Sequence, residues 1–482
     1  MTWENAINIK LNLCDISRQI ISDRTGILFS NEFISFLESS GISYNLSYSL
    51  EDLTKSSESA VIKIVITSVK DIPDYLSVKA DIKKFALADL PINADVKALE
   101  SITLPDILLL LNYLNATNLL QSINKDNIQT ILNCAKQYKQ STYIDTLKIK
   151  IDEILLTVVN YDNILQLGCL YGELQFYIYK YSNDSIYSSL KHLQQRIDEY
   201  SFNYIIKGNL KNIFYESAAK VKSVSSIMPF FKSVSANKKA LICFDCMGMS
   251  EWFLLNDYFK NLNISFCTNL SFSLIPSITS ISRASIYYGS NTDVYKLSSV
   301  NETKALQHHF PDKNCKLFRE KDDISSDSLL GFDVVSVIYN FFDDISHSIV
   351  FPANYESKAI YFEAVKNYLD NSTIINQIRI LLDEGYKVFF CSDHGSVIAK
   401  GNGKKIDKYL QDKFAKRACL IDDSILAEFL DFPQMQIPFV EDKILVLPEG
   451  RTMFDYLNNV EISHGGITVD EIVVPFIEVI KC

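Results

Sequence analysis

Short apolar runs broken by polar turns fill the first hundred residues. Glu32–Ser39 sets Phe33, Phe36 and Leu37 at helical spacing and predicts a helix. Ile42–Leu46 and the β-branched run Val61–Ile66 predict strands, and Lys84–Leu87 is a further candidate. A small α/β domain over residues 1–100 accounts for this alternation. From Leu104 to Tyr215 the pattern lengthens into helical periodicity with little Gly or Pro. Pro105-Asp106 suits a first helical turn, and Leu109, Leu110, Tyr113, Leu114, Asn118 and Leu119 follow at helical spacing. Further stripes lie in Ile151–Val159 and Ile186–Tyr200. They show no fixed repeat, so a helical domain over residues 101–235 is expected, its Tyr- and Leu-rich faces forming core.

A polar stretch, Lys232–Lys239, ends that region. Beyond it come short apolar runs of the kind buried in largely parallel sheets: Ala240–Phe244, Ile264–Cys267, Val334–Ile338, Lys387–Cys391, Ile444–Leu447 and Ile472–Ile480. Helical stretches such as Ala359–Leu382 separate several of them. Residues 236–482 therefore read as an α/β sandwich.

The length of 482 residues exceeds what one core supports and agrees with this three-part division. With 48% hydrophobic and 22% charged residues, the composition is that of a globular protein. A net charge of −11 argues against a chain coated in nucleic acid, while permitting a local basic groove. The ten cysteines show no repeated spacing, and Cys243 and Cys246 have no second pair to complete a zinc knuckle, so reduced thiols are expected. No basic-then-apolar leader opens the sequence, and stretches such as Ile107–Leu114 are too short to span a bilayer. A cytoplasmic protein without membrane contact is the expectation.

Four segments carry the candidate chemistry: Phe244-Asp245, Asp343–His347, Ser392-Asp393-His394-Gly395 and Ser463-His464-Gly465-Gly466. Asp245, Asp343 and Asp393 each follow an apolar run, and in open α/β sheets sites gather at the carboxyl ends of strands. Three of the six histidines (His347, His394, His464) sit in these segments. Asp343 and His347 are four apart, which puts both on one face of a helical turn. Asp and neutral imidazole suit Zn²⁺ or Mn²⁺, and the ligands suffice for two ions, an arrangement that clamps a phosphoryl group during in-line displacement. Between Asp245 and Asp343 lies a hydroxyl-rich stretch, Leu274–Arg283, in which Ser277, Thr279 and Ser282 are all potential nucleophiles. Lys400–Arg417, with Lys400, Lys404, Lys405, Lys408, Lys413, Lys416 and Arg417, reads either as a guide for a polyanion or as a solvated helix face. Its Tyr409 and Phe414 could stack bases or anchor the segment.

The order of Asp, Pro-x-x-Thr, Asp-x-x-x-His, Asp-His-Gly and a late His resembles the alkaline phosphatase superfamily. More narrowly it resembles the PglZ domain of bacterial phage-defence (BREX-type) proteins, chiefly through Ser463–Phe476. The likeness extends from about Ala240 to Ile480. It implies an alkaline-phosphatase-like α/β sandwich with one metal at Asp245, Thr279, Asp393 and His394 and a second at Asp343, His347 and His464. Zn²⁺ is the first choice and Mn²⁺ the alternative. It also implies Thr279 as nucleophile, from its place in Pro276-x-x-Thr279, and leaves Arg283 as a phosphate-oxygen ligand or a salt-bridge partner. The Cys/Ser-x-Pro-x-Arg frame of sulfatases is absent. The activity implied is that of a phosphodiesterase or phosphatase acting on a phosphate ester, with an oligonucleotide or DNA as a candidate and defence-system proteins as candidate partners. The alternative is a PglZ-fold scaffold without turnover.

Overall fold

The computed structural model describes residues 2–14, 17–58, 63–119, 121–181, 187–205, 221–260, 264–291, 293–297, 300–352, 357–407, 415–421, 431–437 and 444–481. The chain divides into two compact units, Met1–Tyr143 and Ile144–Cys482. The division falls within the helix Ile128–Leu155.

In the first unit, β1 (Gln19–Asp23), β2 (Tyr44–Ser47), β3 (Ile64–Thr67) and β4 (Asp81–Phe85) form a parallel sheet in the order β2-β3-β1-β4. The expected helix is present as Asn31–Ser39, capped by Ser30, which accepts from the Phe33 amide. Pro105 lies in the first turn of the helix Leu104–Thr117, whose Ile107, Leu110, Leu111 and Leu114 face the core. Val61 and Ile62, part of a predicted strand, lie outside the described residues.

The second unit contains β5 (Lys239–Phe244), β6 (Ile264–Phe272), β7 (Cys315–Arg319), β8 (Val334–Tyr339), β9 (Lys387–Ser392), β10 (Val397–Gly401) and β11 (Cys419–Ile421). They are followed by β12 (Gln434–Gln436), β13 (Ile444–Val446), β14 (Thr452–Met453), β15 (Val460–Ser463) and β16 (Val473–Lys481). The main sheet has the order β6-β16-β9-β5-β8-β7. Its strands run parallel except β16, which pairs antiparallel with both β6 and β9. Every residue of β5 and β8 is buried, the continuous apolar signature of a sheet covered on both faces. The α/β sandwich expected from the sequence is thus the architecture of this unit.

Several elements of this unit differ from the sequence expectation: β7, β10, β11, β12, β14 and β15 were not anticipated, and one predicted strand lies in another sheet. Ile444–Leu447 contributes β13, which pairs with β11 and β12 in a separate small sheet. Its three residues are too few to cross the main sheet. β7 went unread because it is an edge strand in which Lys316 and Arg319 interrupt the apolar run. The helix Tyr161–Lys180, from the helix-rich region, packs on the sheet unit at van der Waals contact. A Cβ at Gly168 would lie 2.5 Å from Val473 Cβ, and one at Gly172 would lie 2.5 Å from Met249 Cβ.

This topology determines where the site forms. The carboxyl ends of β8, β5 and β9 lie side by side on one edge. Because β16 runs the other way, its amino end shares that edge, as does the carboxyl end of β6, where Phe272 faces Val473. Antiparallel pairing of Val397 with Ser463 then brings the segment just before β10 beside the segment just after β15.

Candidate metal centre

Asp245 leaves the end of β5 through a tight turn. Cys246 adopts a left-handed conformation (φ 65°), and its amide donates to Asp393 Oδ1 at 3.2 Å. Met247 N donates to Ser392 Oγ at 3.0 Å, so the turns after β5 and β9 are stitched together. A non-glycine residue in this conformation costs about 1–2 kcal/mol and persists where its surroundings hold it. Asp343 lies in the first turn of the helix Phe341–Ser348, and His347 follows one turn later, its Nε2 3.1 Å from Asp343 Oδ1.

Two groups of ligand atoms result, each with its members within 4.8 Å of one another: Asp245, Asp393 and His394, and Asp343, His347 and His464. The His394 and His464 rings stack with centroids 4.3 Å apart, which sets the groups side by side. His464 Nε2 lies 3.7 Å from Asp343 Oδ1, and His394 Nε2 lies 3.6 Å from Asp245 Oδ1. The Nδ1 atoms are occupied by backbone carbonyls, Gly395 O at 3.1 Å for His394 and Ser277 O at 3.3 Å for His464. A ring whose Nδ1–H is held in this way turns the Nε2 lone pair toward the centre, which is how imidazole ligands are oriented in metal sites.

Thr279 opens the helix Thr279–Tyr288, which has no side-chain cap. Its Oγ1 lies 2.9 Å from His394 Nε2 and donates to Asp245 Oδ1 at 3.3 Å. Uncapped amides at a helix N-terminus, together with the macrodipole, favour an anion at this hydroxyl. The competing hydroxyls are committed elsewhere. Ser277 Oγ donates to Gly466 O and accepts from Gly465 N, and Ser282 Oγ lies 2.9 Å from Ser273 Oγ. Both are fully buried.

The electrostatics suit a cation. Burial, then the neighbouring Asp393 carboxylate, raise the Asp245 pKa to about 7. Burial also raises Asp393, whose Oδ2 is sequestered without a hydrogen-bond partner. Burial works against ionising Asp343 too, yet the His347 ring, its Nε2 3.1 Å away, and the nearby His464 hold it well below the usual carboxylate range. Burial and the adjacent His394 lower His464 to about 4, so its imidazole is neutral at physiological pH. Two buried carboxylates, one with an unpartnered oxygen, beside the neutral His464 imidazole and the inward-facing His394 ring form a donor set that divalent Zn²⁺ or Mn²⁺ fits.

Asp245, Thr279, Arg283, Asp343, His347, Asp393, His394 and His464 all converge here. Arg283 does so in the service of Asp245: its Nη1 donates to Asp245 Oδ2 at 2.7 Å and to Asn340 Oδ1 at 3.3 Å. Asn340 escaped the sequence reading because an Asn after a strand has no distinguishing spacing, and Ser277, a candidate nucleophile there, is instead bonded to Gly465 and Gly466. Gly395 makes room for the protein itself, since a Cβ there would lie 2.0 Å from Asp470 O and 2.9 Å from Gly248 Cα.

The basic segment also changes meaning. Arg417 is buried against Glu471 (Nε to Oε1, 2.8 Å), and Lys416 pairs with Asp455 and Glu461 at 2.7 Å each. Lys405 lies 3.4 Å from the Tyr456 ring centroid. Arg417 and Lys416 hold the fold together rather than forming a solvated face, whereas Lys405 and Lys400 are exposed. Lys408, Tyr409, Lys413 and Phe414 lie outside the described residues.

Residues 224–479, more than half of the chain, match the BREX system PglZ alkaline phosphatase-like domain. The chain belongs to the PglZ family, and its C-terminal unit has the phosphoesterase-type fold of the alkaline phosphatase superfamily. No curated protein matches it. Among solved structures it is similar to phosphonoacetate hydrolase from Sinorhizobium meliloti 1021 (13% identity, TM-score 0.33, covering 50% of this chain and 89% of that one). It is likewise similar to murine ectonucleotide pyrophosphatase/phosphodiesterase 5 (10% identity, TM-score 0.32, covering 50% and 88%). No helix among the described residues is long and apolar enough to cross a membrane.

Proposed function

We propose that this chain is a two-metal phosphoric ester hydrolase with Thr279 as its nucleophile. The observation that carries this reading is the Thr279 hydroxyl, at an uncapped helix N-terminus, within reach of both Asp245 and His394 and beside two adjoining ligand groups. Asp245, Asp393, His394 and Thr279 would hold one ion, and Asp343, His347 and His464 the other. The ions would supply charge that neutralises phosphoryl oxygens and acidifies the hydroxyl. The proton leaving Thr279 would pass to solvent, because Asp245 Oδ2 is held by Arg283 and Oδ1 would face the ion. Attack forms an Oγ–P bond and breaks the bond from phosphorus to the leaving oxygen, and water then cleaves the phosphothreonine and restores the hydroxyl. The first-turn amides orient the phosphoryl group.

Phosphodiesters of nucleic-acid or nucleotide origin are the proposed substrates, in a cytoplasmic phage-defence setting with defence-system protein partners. Membership of a BREX family supports that setting. The test is hydrolysis of a chromogenic diester and monoester by metal-stripped protein reloaded with Zn²⁺, Mn²⁺ or Mg²⁺, beside Thr279→Ala. Metal-dependent diester cleavage absent from the variant is expected. Folded wild-type protein that is inert with every metal would overturn the enzyme reading in favour of a scaffold.

A further inference from the structure

The Asp245 carboxylate has two oxygens with different neighbours. Oδ2 receives Arg283 Nη1 at 2.7 Å, while Oδ1 faces Thr279 Oγ1 at 3.3 Å and His394 Nε2 at 3.6 Å. Arg283 sits 38 positions away in sequence, on the helix that Thr279 opens, and its guanidinium is gripped at another edge as well. Arg283 Nε lies 3.4 Å from Glu302 Oε1, and Glu302 Oε2 lies 3.0 Å from Arg319 Nη2. The Glu302 side chain is only 8% exposed, in the first turn of the helix Glu302–His309. Asn340, the third contact of Arg283, is itself fixed through its amide to Glu320 Oε2 at 2.6 Å.

A guanidinium facing a carboxylate ordinarily closes a bidentate fork over both oxygens. Here one donor meets one oxygen: Nη1 is shared between Asp245 Oδ2 and Asn340 Oδ1, and Glu302 Oε1 lies 3.4 Å from Nε on the opposite edge of the guanidinium. We propose that Glu302 is a positioning residue for the metal centre: it restrains Arg283 to Oδ2 of Asp245 and keeps Oδ1 open to a cation. Without it, Arg283 rotates to cover both oxygens and competes with the metal. Burying an acid 8% exposed is costly unless it is paired, and Arg283 and Arg319 together compensate it. The inference rests on the proposal that Asp245 ligates a divalent ion. It also moves Arg283 from the substrate to Asp245.

The test is calorimetric titration of Zn²⁺ or Mn²⁺ into the metal-stripped full chain, for wild type, Glu302→Gln, Glu302→Asp and Arg283→Lys. Loss of a residue that orients a ligand typically weakens metal binding 10–100-fold, so about a tenfold loss is expected for Glu302→Gln. Glu302→Asp, which keeps the buried charge and shortens its reach, should lose less and stay folded if the Gln variant does not. In ester hydrolysis the defect should appear as a higher metal requirement with KM unmoved at saturating metal. Wild-type affinity in both Glu302 variants overturns the inference while leaving the enzyme reading intact. So does a raised KM with unchanged metal affinity in Arg283→Lys, which would put Arg283 on the substrate. A wild-type chain that binds no divalent ion overturns both.

Discussion

Replacing Asp245 by Asn is expected to stabilise the metal-stripped protein above neutral pH while abolishing activity. In the folded chain the Asp245 carboxyl is raised from 3.8 to about 7, by burial first and by Asp393 second. The sign follows from linkage. An acid whose folded pKa lies above its unfolded value costs nothing below pH 3.8, begins to cost stability as pH rises past it, and carries the full penalty above about 7. From 3.8 to about 7, that penalty is on the order of 4 kcal/mol at most. Rearrangement around Asp393 will reduce it, so a gain of about 1–3 kcal/mol at pH 8 is the working figure. Asn keeps the shape and removes the charge. The assay is thermal unfolding in chelator at pH 5 and pH 8, repeated with saturating Zn²⁺. Asp245→Asn should melt higher than wild type at pH 8, with the gap closing toward pH 5. Zn²⁺ should reverse the order, because only wild type retains the full ligand set. A variant that melts at or below wild type at pH 8 without metal would show that the carboxylate is not held under electrostatic strain, and the electrostatic argument for a cation would fall with it.

Thr279→Ala should reduce hydrolysis on the order of 10³-fold or more, while Thr279→Ser keeps measurable turnover, as read in the chromogenic assay at saturating metal. His464 has the opposite pH sign to Asp245. A base lowered to about 4 loses stability as pH falls from its unfolded value of 6.5, so His464→Gln should flatten the acid side of the metal-free unfolding profile between pH 6.5 and 4. Gly395→Ala places a methyl 2.0 Å from Asp470 O, and about 3 kcal/mol or more of stability should be lost, visible as a lower Tm. Arg417→Gln leaves the fully buried Glu471 without its cation and should cost about 3–5 kcal/mol. A normal Tm with weakened oligonucleotide binding would instead return Arg417 to the role of a polyanion guide.

Much of the site was legible before the fold because its residues fall where strands stop. Asp245 and Asp393 follow the buried apolar runs Ala240–Phe244 and Val388–Cys391, and polar residues gather where such a run leaves the core. The four-residue step from Asp343 to His347 is likewise a local helical fact. Arg283 stayed ambiguous because its partners, Asp245, Asn340 and Glu302, lie on three other segments of the chain. The basic run misled for the same reason. Glu471, which neutralises Arg417, is 54 positions away.

Local sequence by itself therefore determined the alternation of elements, the acids at strand ends and the helical Asp343–His347 pair. These depend on periods of two and 3.6 residues and on what a chain must do when it leaves a core. Tertiary structure alone decided that β16 runs against its neighbours, which brings His464 to the edge already occupied by Asp245 and Asp393. It also decided which hydroxyl stayed free for the centre, which carboxylate oxygen Arg283 occupies, and which cations were consumed in the core. Those outcomes depend on distances between segments tens to hundreds of residues apart, and such distances are set by sheet order and strand direction.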